Sequence, residues 1–166
     1  DADRLSPRQA WRAIQDGLPK DAIISSDIGN NCAIGNAYPT FEEGRKYLAP
    51  GLFGPCGYGF PSIIGAKIGN PDTPVVGFAG DGAFGISMNE MTSIGREEWP
   101  DVTMVIFRNY QWGAEKRNSI LWYSDNFIGT ELDPNLSYAR VAEGCGLKGV
   151  AVRTQEELTA ALKLSC

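Results

Sequence analysis

An unbroken apolar run, Val75-Val76-Gly77-Phe78-Ala79, passes directly into Gly80-Asp81-Gly82-Ala83-Phe84-Gly85. A short apolar run with no polar alternation is the pattern of a strand covered on both faces, and such strands belong to parallel sheets whose crossovers are helices. The glycines at its end mark a place where the backbone turns sharply or approaches another group closely. The rest of the chain keeps to this plan. Ser6-Pro7-Arg8-Gln9 is a capping box with proline at the first helical position, and Ala10, Trp11, Ile14 and Leu18 continue it on one face. Residues 22–26 read as a strand ending at Asp27, residues 61–69 as a helix, and Ser87-Met88-Asn89-Glu90 as the cap of a helix reaching about residue 98. Residues 102–107 read as a third strand buried on both faces, residues 137–144 as a helix and residues 149–152 as a short strand. Thr154-Gln155-Glu156-Glu157 caps a last amphipathic helix through Leu164. Strands separated by helices predict an α/β fold, a doubly wound and mostly parallel sheet. Residues 1–166 read as one domain, since no repeat or linker divides them.

Ligands of such sheets sit at the carboxyl ends of the strands. Three ends therefore matter: Asp27 to Asn31, Gly80 to Gly82, and Arg108 to Gln111. Composition narrows what they hold. The net charge of -5 gives no electrostatic footprint for nucleic acid, and no Lys/Arg run or long apolar stretch points to a membrane, so small molecules are the expected partners. The chain has no histidine, which removes imidazole bases and histidine-ligated metals; a metal here needs oxygen ligands. Cys32, Cys56, Cys145 and Cys166 form no C-x-x-C pair and read as reduced thiols in a cytoplasmic protein.

Gly80-x-Gly82-x-x-Gly85 after a strand matches a dinucleotide fingerprint. That reading wants an acidic residue at the end of the next strand, where this chain has Arg108-Asn109; an arginine there suits a 2'-phosphate, so an NADP-dependent oxidoreductase stays open as an alternative. Asp81 argues against it, because its charge would lie beside a pyrophosphate unless a cation stood between them. With Mg²⁺ supplied, the Asp81 carboxylate, the Asn109 amide oxygen, a main-chain carbonyl at Gln111 and two diphosphate oxygens nearly complete an octahedral shell. The diphosphate would rest on amides after Gly82.

Gly80-Asp81-Gly82 followed by Asn109 resembles the metal and diphosphate signature of thiamine diphosphate enzymes, and residues 51–71, GLFGPCGYGFPSIIGAKIGNP, resemble a segment of their acetolactate synthase branch. SDIGNNCAIGNAYPTFEEGRKYLAPGLFGPCGYGFP and FRNYQWGAEKRN resemble, more closely, the carboxyl-terminal cofactor domain of the sulfoacetaldehyde acetyltransferase family. The resemblance implies a thiamine diphosphate-binding fold, with Gly29, Asn30 and Asn31 at the diphosphate, Gly80, Gly82 and Ala83 lending amides to it, and Gly54 and Cys56 beside the bent cofactor. Asp81, Asn109 and Gln111 are the implied Mg²⁺ ligands, and Arg108, Lys116 and Arg117 are candidates to face a sulfonate or phosphate. It also implies a fragment, inactive alone, of a homodimeric or homotetrameric enzyme whose activating glutamate lies in another domain. Its reaction would turn sulfoacetaldehyde and phosphate into acetyl phosphate and sulfite. An acetolactate synthase or a sulfopyruvate decarboxylase subunit shares the metal motif; the stretch NAYPTFEEGRKYLAP favours the acetyltransferase. A cofactor-free interaction domain of the same fold is the non-catalytic alternative.

Overall fold

The computed structural model describes residues 4–41, 46–96 and 98–166. Its centre is a four-stranded parallel sheet of β1 (Ile23–Ser26), β2 (Lys46–Leu48), β3 (Val75–Gly80) and β4 (Thr103–Phe107), in the order β2-β1-β3-β4. From β1 the chain moves outward to β2, then returns past β1 to β3 and β4. The direction of winding thus reverses between β1 and β3, and the carboxyl ends of these two strands frame the crevice where open α/β sheets hold ligands.

Side chains alternate across the sheet, so each strand serves two cores. Val76 and Phe78 of β3 pack with Trp11 and Ile14 of α1 (Pro7–Gly17) and with Leu158 and Leu162 of α8 (Gln155–Ser165). Val75 and Ala79 face the other layer, where they meet Phe60 and Ile63 of α3 (Gly59–Gly69), Phe84 of α4 (Asp81–Ser87) and Met91 of α5 (Met91–Ile94). Helices thus cover both faces, as expected of a doubly wound sheet. Three further helices, α2 (Asn30–Gly35), α6 (Gly113–Tyr123) and α7 (Tyr138–Gly144), follow β1, β4 and the long loop after α6. Both capping boxes form: Ser6 with Gln9 and Thr154 with Glu157 satisfy each other's backbone donors. Among the described residues no helix is long and apolar enough to cross a membrane.

Four expectations change. β4 is half-buried rather than covered on both faces, because it is an edge strand whose only partner among the described residues is β3. Residues 149–152 form no strand: among the described residues none pairs with them, and Val150 is exposed. The helix expected from Ser87 already begins at Asp81 and breaks into a 3-10 turn, Met88–Glu90, before α5. The Ser87 hydroxyl is accordingly no cap; it is buried without a hydrogen-bond partner among the described residues. Finally, β2 arises from Lys46-Tyr47-Leu48 inside the stretch read as glycine-broken loop; residues 42–45 of NAYPTFEEGRKYLAP lie outside the described residues.

Candidate functional site

The turn after β1 carries Gly29 at φ +113°, a backbone shape that residues with a Cβ rarely adopt, and from it α2 begins at Asn30. The Asn31 amide nitrogen donates to the Asp27 carbonyl at 2.9 Å, which fastens α2 to the strand end. After β3, Asp81 is only 2 % exposed. Its Oδ1 accepts from the Gly82 N–H at 3.1 Å and its Oδ2 from the Tyr110 N–H at 2.7 Å. Tyr110 adopts φ +62°, strained for a residue with a Cβ; the bond to Asp81 helps to hold it there. Burial pushes the Asp81 carboxyl above its ordinary value, an effect its backbone hydrogen bonds, Tyr110 first, partly offset.

The third strand end closes on the same point. Asn109 Oδ1 accepts from the Gln111 N–H at 3.3 Å. Gln111 bridges Glu131 antiparallel, with the flanking bonds made by Trp112 N–H to the Thr130 carbonyl and Leu132 N–H to the Tyr110 carbonyl. In that pattern the central carbonyl, that of Gln111, is turned away from the paired segment. A Cβ at Gly82 would stand 2.9 Å from the Trp112 ring, so the indole lies directly on the turn after Asp81. A Cβ at Gly113 would stand 2.9 Å from Asn109 Nδ2 and 3.0 Å from Asn30 Nδ2, so two side-chain amides from different strand ends meet at the start of α6.

These groups line one cavity of about 1010 Å³, which continues along the open edge of β4 to residues 151–153. All eleven residues expected at the cofactor and metal line it: Gly29, Asn30, Asn31, Gly54, Cys56, Gly80, Asp81, Gly82, Ala83, Asn109 and Gln111. The cationic residues divide. Arg108 lines the cavity, but its guanidinium donates to the Pro134 carbonyl at 3.0 Å and lies over the Tyr110 ring at 4.6 Å. Lys116 is bonded to Glu131 and sits 4.7 Å over the Phe127 ring, and neither it nor the exposed Arg117 lines the cavity. Tyr138 was not anticipated; its hydroxyl donates to the Asp81 main-chain carbonyl at 2.9 Å. Asp27 was seen only as a strand end, yet its carboxylate receives three N–H groups, two of them from 30 and 32 residues away. No local pattern announces such partners.

Among the described residues no three His, Cys, Asp or Glu side chains gather to hold a metal. A divalent cation at Asp81 would therefore complete its shell with amide, carbonyl and ligand oxygens, which suits Mg²⁺ held jointly with phosphates. The donor set fits: one buried carboxylate, a neighbouring side-chain amide and a free-turned carbonyl, beside a glycine turn with room for an anion.

Residues 27–165 match the family described as thiamine pyrophosphate enzyme, C-terminal TPP binding domain. The chain belongs to this family. This TPP binding domain is 82% identical over 160 residues, 96% of the chain, to a probable sulfoacetaldehyde acetyltransferase of Rhizobium meliloti (strain 1021), covering 27% of that protein. It is 77% identical over the same share to a sulfoacetaldehyde acetyltransferase of Roseovarius nubinhibens, covering 26% of it. Among solved structures, a thiamine diphosphate-dependent 4-hydroxybenzoylformate decarboxylase of Rhodococcus jostii RHA1 superposes on 98% of the chain and 30% of its own, with a TM-score of 0.88 at 28% identity. The TPP binding domain thus spans about a quarter of the length of the curated relatives it matches. Membership removes the NADP alternative: the glycine fingerprint is present, but the carboxylate within it points into the cavity where a pyrophosphate alone would repel it.

Proposed function

We propose that residues 1–166 are the thiamine diphosphate- and Mg²⁺-binding carboxyl-terminal domain of a sulfoacetaldehyde acetyltransferase, which converts sulfoacetaldehyde and phosphate into acetyl phosphate and sulfite. The observation that carries this reading is Asp81, a buried carboxylate at the winding reversal that lines the cavity and accepts one backbone N–H on each oxygen. The high identity to relatives of that name supports the substrate.

When bound, thiamine diphosphate supplies a nucleophilic carbon and an electron sink; the protein binds and orients it. In this reading Asp81, the Asn109 amide oxygen and the Gln111 carbonyl hold Mg²⁺. Gly82, Ala83 and the Gly29-Asn30-Asn31 turn receive the diphosphate, and Gly80 lets the chain pass between them. Gly54 and Cys56 bound the opposite wall. Of the three cationic candidates, Arg108 is the one positioned to meet an anionic substrate; Lys116 and Arg117 act elsewhere. Leu52 and Phe53 precede that wall and Trp122 lies in the last turn of α6, 77 % exposed. Their exposure supports burial against another domain or subunit, in a homodimer or homotetramer that we place in the cytoplasm.

The test is turnover by the full-length polypeptide that carries this domain. Acetyl phosphate and sulfite should form together from sulfoacetaldehyde and phosphate, only with thiamine diphosphate and Mg²⁺, and not in Asp81→Ala. Cofactor-dependent turnover of a 2-oxo acid without phosphate would instead favour an acetolactate synthase or sulfopyruvate decarboxylase.

A further inference from the structure

Asp27 is wholly buried, yet it does not line the cavity. Its Oδ1 accepts from the Ile28 N–H at 2.8 Å and the Gly57 N–H at 3.0 Å, and its Oδ2 accepts from the Gly59 N–H at 2.7 Å. The main chain of the same residue ties two other pieces: its N–H donates to the Phe78 carbonyl of β3 at 2.7 Å, and its carbonyl accepts from Asn31 of α2. Ile28 completes the grip from above, since a Cβ at Gly54 would stand 3.3 Å from its Cδ1. One residue thus joins the loop 54–59, the Gly29–Asn31 turn and the strand leading to Asp81.

We propose that Asp27 is a positioning residue that sets the wall carrying Gly54 and Cys56 at a fixed distance from the Gly29–Asn31 turn and the Asp81 turn. It acts through the loop and touches no ligand. The inference rests on the reading of the cavity as a cofactor site, but the fastening itself stands on the protein's own bonds. Hydrogen bonds to an ionised carboxylate are roughly twice as strong as neutral ones, and here three converge where water is excluded. Burial raises the Asp27 carboxyl, and the N–H groups of Gly59, Ile28 and Gly57 offset part of that rise. Asparagine has the same shape but one acceptor oxygen; its NH₂ must face either the Gly59 donor or the Ile28 and Gly57 pair.

The experiment uses the full-length polypeptide without cofactor, then with it. In the unaltered protein, the amides of Gly57 and Gly59 should resist hydrogen exchange far more than that of Gly51 in the exposed stretch before them. In Asp27→Asn, exchange across residues 54–59, read peptide by peptide by mass spectrometry, should rise about tenfold, as for about 1.4 kcal/mol of lost fastening. Cofactor affinity should fall by a similar factor. Ile14→Val, a core variant, controls for lowered stability and should leave exchange across residues 54–59 unchanged. Equal exchange at Gly51, Gly57 and Gly59, or a folded Asp27→Asn with unaltered exchange across residues 54–59, would overturn the proposal. Should Asp27→Asn fail to fold, exchange in the unaltered protein decides. Absence of thiamine diphosphate binding by the unaltered protein would overturn the functional reading, while the cofactor-free measurements still judge the fastening.

Discussion

Asp27 and Asp81 stand at the ends of neighbouring parallel strands, both buried and both raised by burial above the ordinary carboxylate range. Their surroundings separate them. Asp27 receives three N–H groups and is closed off from the cavity; Asp81 receives two, one on each oxygen, and faces it. An ionised carboxylate has about four acceptor positions, so Asp81 retains about two. The first aspartate fastens backbone to backbone, whereas the second keeps the capacity to ligate a cation. Burial and a shifted pKa alone do not distinguish these roles; the number of N–H partners and the place at the cavity do.

Substitution should pull the two apart. In Asp81→Ala, calorimetric titration should show Mg²⁺-dependent thiamine diphosphate binding weakened by more than about 100-fold, beyond the 10–100-fold typical of losing an outer-shell partner. Its melting temperature should fall by less than that of Asp27→Ala, because two N–H groups rather than three lose their acceptor. Asp27→Ala should reverse the balance, costing about 3 kcal/mol in denaturant unfolding because three N–H groups lose one acceptor, with a much smaller loss of binding. If Asp27→Ala matched Asp81→Ala in binding and left stability intact, the distinction would collapse.

Gly82→Ala should come next. Its new Cβ would press on the Trp112 ring at 2.9 Å, costing about 1–3 kcal/mol of stability and weakening diphosphate binding in the same variant. A smaller effect concerns pH. Both carboxyls are raised in the folded state, so between the unfolded value of 3.8 and the folded values the native protein holds more protons than the unfolded one. Their contribution to stability is therefore present below that window and lost as pH rises through it. On the proposed role of Asp81 as a Mg²⁺ ligand, metal-dependent affinity should rise over the same window, and Asp81→Asn should remove that slope and lessen the stability slope. Asp27 keeps its share of the stability slope in that variant, which sharpens the comparison.

The smallest expected effect is at Tyr138→Phe, which removes the hydroxyl bonded to the Asp81 carbonyl. About 1 kcal/mol of stability and a few-fold of Mg²⁺ affinity should be lost, measured by melting and by titration. A loss as large as that of Asp81→Ala would mean that the turn, rather than the carboxylate, governs the site.

How far the sequence alone carries the argument varies with the range of the interaction. Ser6 and Thr154 reveal their caps because each partner lies three residues away. Val75 to Ala79 reveals a buried strand because its whole pattern lies within the run. Lys46-Tyr47-Leu48 hides its strand, since three residues carry too short a pattern and the ladder comes from β1. Residues 149–152 have a strand's composition but lack the neighbour that would make them one. Arg108 and Lys116 show their charge in sequence, but not the Pro134 carbonyl, the aromatic rings or the Glu131 that engage them.

The sequence by itself determined the parallel α/β plan and the three strand ends that line the cavity, and it carries the proposal that Asp81 and Asn109 offer oxygen donors there. These follow from local hydrophobic period, capping and glycine placement, and residue chemistry does not change with context. Tertiary structure alone decided that winding reverses between β1 and β3, that Asp27 is bonded to the loop carrying the opposite wall, and that Arg108 rather than Lys116 or Arg117 lines the cavity. Each of these depends on groups brought together across tens of residues, and a hydrogen bond's strength depends on burial and direction that only the packed chain supplies.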